Sequence, residues 1–371
     1  MAGDARSGAR SKLRPILFWG MPMSSSQVGS GRLRAYIEFL AALVYFFIAR
    51  ALAYSAALGL ARDQWIQEPW MPLVEQAMLV FLLVIGYACM GFALDHQEHP
   101  LRAQGLPRRE GWPGEAGLGM AAGWALAVVC VLPLVVGGGI AIVLLLQPSA
   151  WGWLLADAAF FALAALAEEV AFRGYGFQRF AHAVGPFGAV LGFAAFYAIV
   201  QTFLPGSSRA SIAVSVVFSV LLSAAYLRTH ALWVSWGINF GWKASRALLF
   251  GLAIGGVSSH SPVVQGNPMG PFWLTGGGYG LDGSWVACLL LLAALPVVYC
   301  LTRDLNHRYN GPEIVAVGVP VDLAAVACQE HEAAMGMAES AEPPLVQVFP
   351  TATQPPDNPV LPSATESPDS N

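Results

Sequence analysis

The run Ala167-Glu168-Glu169-Val170-Ala171-Phe172-Arg173-Gly174 sets two adjacent carboxylates at the end of a long apolar stretch. Ionisable groups inside a membrane are costly, which marks them as functional-site candidates. Arg173 follows Glu169 by four residues, one helical turn, in the orientation that favours an ion pair. The same run also reads as a buried structural pair pinning a helix end. The residues alone leave both readings open.

Other polar residues interrupt the apolar stretches: Arg50, Glu75, Asp157, Gln201, Asn239, Lys243 and Arg246. Asn239 and Lys243 are one turn apart, so they share a helix face. Lys243 is one of only two lysines, with Lys12. A lysine in a membrane helix needs an anion, and Glu168 and Glu169 are the expected ones; snorkelling to a membrane surface is the alternative. Two carboxylates and two cations, Arg173 and Lys243, then balance. Asp157 precedes Glu168 by eleven residues and shares its helix face. Arg50, in the middle of the first span, is expected to pair with Glu75 or Asp157.

The elements that must position these groups are membrane helices. Charged residues make up 11% of the 371 and apolar residues 56%, whereas a soluble domain carries about 25% charged residues. Spanning a bilayer takes about 20 apolar residues. The pattern predicts an all-α, polytopic bundle of about eight transmembrane helices: Phe39–Leu60, Trp70–Leu94, Leu118–Leu146, Leu154–Phe172, Pro186–Leu204, Ile212–Leu227, Leu232–Ile254 and Trp285–Leu301. Arginine and lysine are dense before the first span (Arg6, Arg10, Lys12, Arg14, Arg32, Arg34) and recur after every second one. The opposite loops hold only Arg62 and Arg209. The positive-inside rule then puts both termini, and the Glu168/Glu169 motif, towards the cytoplasm, with the plasma (inner) membrane as the expected location.

Three regions follow: a basic segment 1–34, a helix bundle 35–309 and an acidic tail 310–371. No Lys or Arg occurs after Arg308, and the tail from about Glu339, rich in Pro, Ser, Thr and Glu, reads as disordered. No cleavable signal peptide is expected. Cys89, Cys130, Cys288, Cys300 and Cys328 have no metal-ligand spacing and read as free, buried thiols. Gly276-Gly277-Gly278-Tyr279-Gly280, in a predicted external loop Gly255–Gly283, has no strand before it, so a nucleotide loop is not expected. No cofactor, metal or nucleic-acid partner is predicted; the expected partners are membrane lipids and a membrane-protein or peptide substrate or partner.

In this setting Glu168-Glu169-Val170-Ala171-Phe172-Arg173-Gly174 resembles the Glu-Glu-x-x-x-Arg motif of the CPBP intramembrane proteases, the CAAX prenyl endopeptidase and bacteriocin-processing enzymes. The resemblance runs from about Leu154 to Trp285. It includes Tyr226-Leu227-Arg228-Thr229 followed by Leu232-Trp233, and Trp273-Leu274-Thr275-Gly276-Gly277. The resemblance implies a glutamate general base at the Glu168 position, a histidine orienting the water and a third motif donating hydrogen bonds to the oxyanion. The family's second motif, Phe-x-x-x-His, becomes Tyr197-Ala198-Ile199-Val200-Gln201, or in a register one residue earlier ends at Val200. The third, His-x-x-x-Asn, becomes Asn239-Phe240-Gly241-Trp242-Lys243. All seven histidines, His96, His99, His182, His230, His260, His307 and His331, are predicted to lie in loops or the tail.

Candidate site residues are therefore Glu168, Glu169, Arg173, Gln201, Asn239 and Lys243. Gln201 can hydrogen-bond water but cannot accept its proton. A lysine close to Glu168 would weaken it as a base. With both motif histidines replaced, a catalytic zinc, which usually takes three protein ligands, is not expected. The reading is a membrane protein similar to intramembrane glutamic endopeptidases but non-catalytic or impaired. The alternatives are an active endopeptidase using Glu168 as base, and a transporter.

Overall fold

A computed structural model describes residues 25–97, 99–145, 147–261, 263–305, 316–317 and 319–320. The elements are α1 (Ser25–Arg62), α2 (Met71–Asp95), α3 (Pro100–Ala103), α4 (Trp112–Val136), β1 (Ile140–Leu144), α5 (Pro148–Arg173), α6 (Tyr175–Val184), α7 (Pro186–Thr202), α8 (Arg209–Thr229), α9 (Leu232–Ala244), β2 (Val264–Pro268), α10 (Phe272–Thr275) and α11 (Trp285–Leu301). Residues 311–371 form a separate unit. Its described part is a short antiparallel pair, β3 (Ala316–Val317) with β4 (Val319–Pro320). The predicted disordered tail and most of the basic N-terminal segment lie outside the described residues.

The bundle is a polytopic helical membrane protein. Among the described residues, six helical segments are long and apolar enough to cross a membrane. The predicted fifth and seventh spans are shorter: α7 has 17 residues, and α9 has 13 before it loosens into a π turn at Ser245–Leu249. The predicted third span ran to Leu146, but α4 stops at Val136. Gly137-Gly138-Gly139 follows, with Gly138 at φ +73°, and glycine is a poor helix former. The β-branched residues beyond it make β1, whose Ile140 lies opposite Pro268 and Leu144 opposite Val264 of β2. Apolar composition did not separate this strand from a membrane helix. The loop expected over Gly255–Gly283 thus contains a strand. It is separated from the Gly276–Gly280 run by α10.

Helix starts follow local chemistry. Ser208 and Ser211 form a reciprocal cap on α8 (3.1 and 2.8 Å). Ser284 caps α11 by accepting from Val286 and Ala287 N–H. A proline opens α2, α4, α5 and α7 within their first two positions. Gly174 separates α5 from α6, because a Cβ there would meet the Val170 carbonyl oxygen at 2.3 Å.

Lipid is as apolar as leucine, so helices in a membrane associate through close backbone approach and polar contacts. The α4–α9 pair does so with two facing glycine pairs. A Cβ on Gly119 or Gly123 would lie 2.3 Å from the carbonyl oxygens of Val234 and Ile238. One on Gly237 or Gly241 would lie 2.4 and 2.5 Å from those of Ala116 and Met120. Backbone meets backbone, so nothing there can yield. Gly123→Ala is therefore expected to lose about 1–3 kcal/mol through overpacking. Gly117→Ala on the same helix, where a Cβ meets nothing within 4 Å, should gain about 0.5–1 kcal/mol. Equal melting temperatures for the two variants would refute this account of the pairing.

Two apolar cores result. One joins α4, α8, α9 and α11 around Ile238 and Trp242; the other joins α1, α2, α5, α6 and α7 around Val170 and Phe177. The carboxylate end of α5 meets α9 between them. Two expectations about side chains are corrected. Cys89 and Cys300 are free but exposed, while Cys130 and Cys288 are free and buried; Cys328 lies outside the described residues. His182 lies on α6 rather than in a loop.

Candidate functional site

Glu168 and Glu169 project from the last turns of α5 towards α9. Lys243 Nζ stands 2.5 Å from Glu168 Oε1. One turn earlier on α9, the Asn239 amide nitrogen donates to both carboxylates, 3.0 Å to Glu168 Oε2 and 3.0 Å to Glu169 Oε1. Helical spacing puts Asn239 and Lys243 on one stripe, and Gly237 and Gly241 clear the opposite stripe for α4. The glycine pairing on one side thus fixes which α9 face meets the carboxylates. Trp236 Nε1 adds a bond to the Ala162 carbonyl of α5 at 3.0 Å.

The two glutamates differ in setting. Glu169 and Arg173 are fully buried, and Arg173 Nη1 approaches Glu169 Oε1 at 3.3 Å. The guanidinium also reaches α7 and α8: Nη1 donates to the Tyr197 hydroxyl at 3.4 Å, and Nη2 to the Ser219 carbonyl and hydroxyl at 3.2 and 3.4 Å, while Nε has no partner among the described residues. Its carbon also stands 5.4 Å from the Tyr197 ring centroid. The Glu168 side chain is 36% exposed and that of Lys243 15%. Glu168 is the accessible carboxylate, and both of its oxygens are engaged.

Five of the six candidates thus form one network: Glu168, Glu169, Arg173, Asn239 and Lys243. Gln201 stands apart from it. Its amide nitrogen donates to the Tyr279 hydroxyl and its oxygen accepts from Ser215 at 3.3 Å. Burial raises the Tyr279 phenol above its usual range. Tyr197, one turn before Gln201, is the α7 residue that reaches the network. It was legible as the aromatic position of the second motif. Ser219 belongs to a stripe of serines four residues apart on α8 (Ser211, Ser215, Ser219, Ser223), a one-face polar pattern that the sequence did carry.

Two expected pairings are not formed. Asp157 turns to the loop after α9, with Oδ1 3.1 Å from His260 Nδ1 and Oδ2 accepting from the Ser261 N–H at 2.7 Å. It does not pair with Arg50. Arg50 is exposed on α1, and Glu75 is half-buried without touching it. Arg246 is buried over the Trp242 ring and bound to Asp282 at 2.7 Å. Among the described residues, no three His, Cys, Asp or Glu side chains gather as a metal would require.

No curated protein and no solved structure matches this chain. One family model does. It matches residues 148–245, about a quarter of the chain, from the start of α5 through α9. The Trp273–Gly277 run that also resembled the family lies beyond the match. Within the matched segment stand both carboxylates, Arg173, Gln201, Asn239 and Lys243. Over α5–α9 this integral membrane protein is similar to the family described as Type II CAAX prenyl endopeptidase Rce1-like.

Proposed function

We propose that this protein is a non-catalytic relative of the CAAX-type intramembrane endopeptidases, one that holds a membrane-embedded peptide or protein partner without cleaving it. The observation that carries this reading is the state of Glu168. Lys243 and Asn239 each donate to one of its oxygens, and a cation against a carboxylate stabilises the charged form over the protonated one, which makes it a weaker base. Gln201, at the position of the family's histidine, is committed to Tyr279 and Ser215 and cannot take a proton.

The orientation belongs to the same proposal: both termini cytoplasmic, in the plasma membrane. Its support is that Arg34, Glu38, Asp95 and Arg179 form one ion-pair cluster, bringing together the start of α1, the end of α2 and α6.

The test is cleavage of a prenylated CAAX-type peptide by the full chain in liposomes. Turnover should not exceed that of the Glu168→Gln variant. The triple variant Gln201→His, Asn239→His, Lys243→Asn is the positive direction, and any activity it gains should vanish on adding Glu168→Gln. Wild-type turnover that Glu168→Gln abolishes would instead establish an active endopeptidase.

A further inference from the structure

Arg50 lies twelve residues after Glu38 and twelve before Arg62, the charged residues that bound the apolar part of α1. At 1.5 Å per residue it is about 18 Å from either, at the centre of a hydrocarbon layer about 30 Å thick. Snorkelling serves arginines near helix ends, and Arg50 is not near one. It is exposed, and it has no hydrogen-bond or ion-pair partner among the described residues. It shares a stripe of α1 with Phe47, Tyr54 and Leu58, all exposed.

Glu75 on α2 is in the complementary state. It is half-buried inside a span and has no cation against it among the described residues. Tyr45 Oη donates to the Leu82 carbonyl (2.6 Å) and Tyr87 Oη to that of Ala42 (3.3 Å), which fixes α1 and α2 antiparallel. That register sets Glu75 level with residues 52–54 of α1, about 3–6 Å along the axis from Arg50. One unpaired cation and one unpaired carboxylate therefore lie at one depth on adjacent helices.

We propose that this α1–α2 face binds a second copy of the chain about a two-fold axis along the membrane normal, with Arg50 of each copy paired to Glu75 of the other. Such an axis preserves depth, so groups level in one copy are level across the contact. An isologous contact uses each pair twice, and both charges of both copies are neutralised. The exposed Phe47, Tyr54 and Leu58 supply the apolar surface around the pairs.

The full-length protein in liposomes, as two co-expressed, differently labelled forms, tests this by energy transfer across a lipid-dilution series. Wild type should associate. Arg50→Glu and Glu75→Arg should each weaken association at least about a hundredfold, whereas Arg50→Lys should retain most of it. Co-expressing the two single variants should restore transfer, because the mixed dimer has opposite charges at both contacts. An ion pair formed within one copy could not be rescued that way. Arg50→Leu, an apolar change suited to a lipid-facing site, should also dissociate the pair and guards against a folding defect in the charge-reversed forms. The proposal is overturned if wild type stays monomeric, including by capture of Arg50 on a different membrane protein or a lipid. It is equally overturned if Arg50→Leu associates normally, or if the two single variants fail to restore transfer when mixed.

Discussion

Arg173→Met is expected to destabilise the protein by about 3–5 kcal/mol, the cost of leaving a buried charge without its partner. The side chains of Glu169 and Arg173 are both fully buried, so water cannot take over the lost contact. The guanidinium also ties α5 to α7 and α8 through Tyr197 and Ser219, and three helices lose a shared anchor when it goes. Arg173→Lys should recover only part of the loss, because an ammonium lacks the planar fork that reaches several acceptors at once. Adding Glu169→Gln to Arg173→Met should regain a further share, since the stranded carboxylate is neutralised. Denaturation of the purified protein in detergent reads the wild type, these three variants and Glu169→Gln alone. If the losses of Arg173→Met and Glu169→Gln add within about 0.5 kcal/mol, the two residues are energetically independent and the network account fails.

The second large effect is expected at Lys243. Its side chain is 15% exposed and that of Glu168 36%, so the pair lies between an exposed one, worth up to about 1 kcal/mol, and a buried one, about 3–5 kcal/mol. Lys243→Ala should lose an amount inside that range, and Glu168→Gln on top of it should recover part. The sign of the second step carries the information. Recovery means that Glu168 is held as a structural anion. Further loss, with Glu168→Gln harmful in its own right, would mean that the carboxylate is stabilised by something other than Lys243. The base chemistry of the family would then regain ground.

Much of this was legible in the sequence because membrane segments are written in composition. With no water to satisfy the backbone, a spanning segment must be helical, so long apolar runs specified the bundle directly. The α5–α9 contact was legible for a related reason. A lysine within an apolar helix needs an anion, the nearest anions were Glu168 and Glu169, and Lys243 meets Glu168. Spacing also foretold that Arg173 would meet Glu169, since both belong to one helix and four residues make one turn.

What the tertiary structure decided is where apolar runs stop and which helix faces meet. β1 was invisible as a strand because apolar residues serve a strand and a membrane helix alike; its pairing with β2 across more than a hundred residues settled it. The facing glycines of α4 and α9 gave no usable signal singly, because a glycine shows its purpose only when another backbone lies against it. Gln201 could not be assigned from its motif, because a hydrogen bond to Tyr279 in a distant loop holds it away from the carboxylates. Arg50 was expected to find Glu75 or Asp157 by charge alone, yet charge fixes the need for a partner and not its location. Asp157 is claimed by His260 and the Ser261 backbone, and Arg50 is left facing outward on α1. Local chemistry along one helix thus follows from sequence spacing, whereas the rotation of one helix against another is set by packing that no single segment contains.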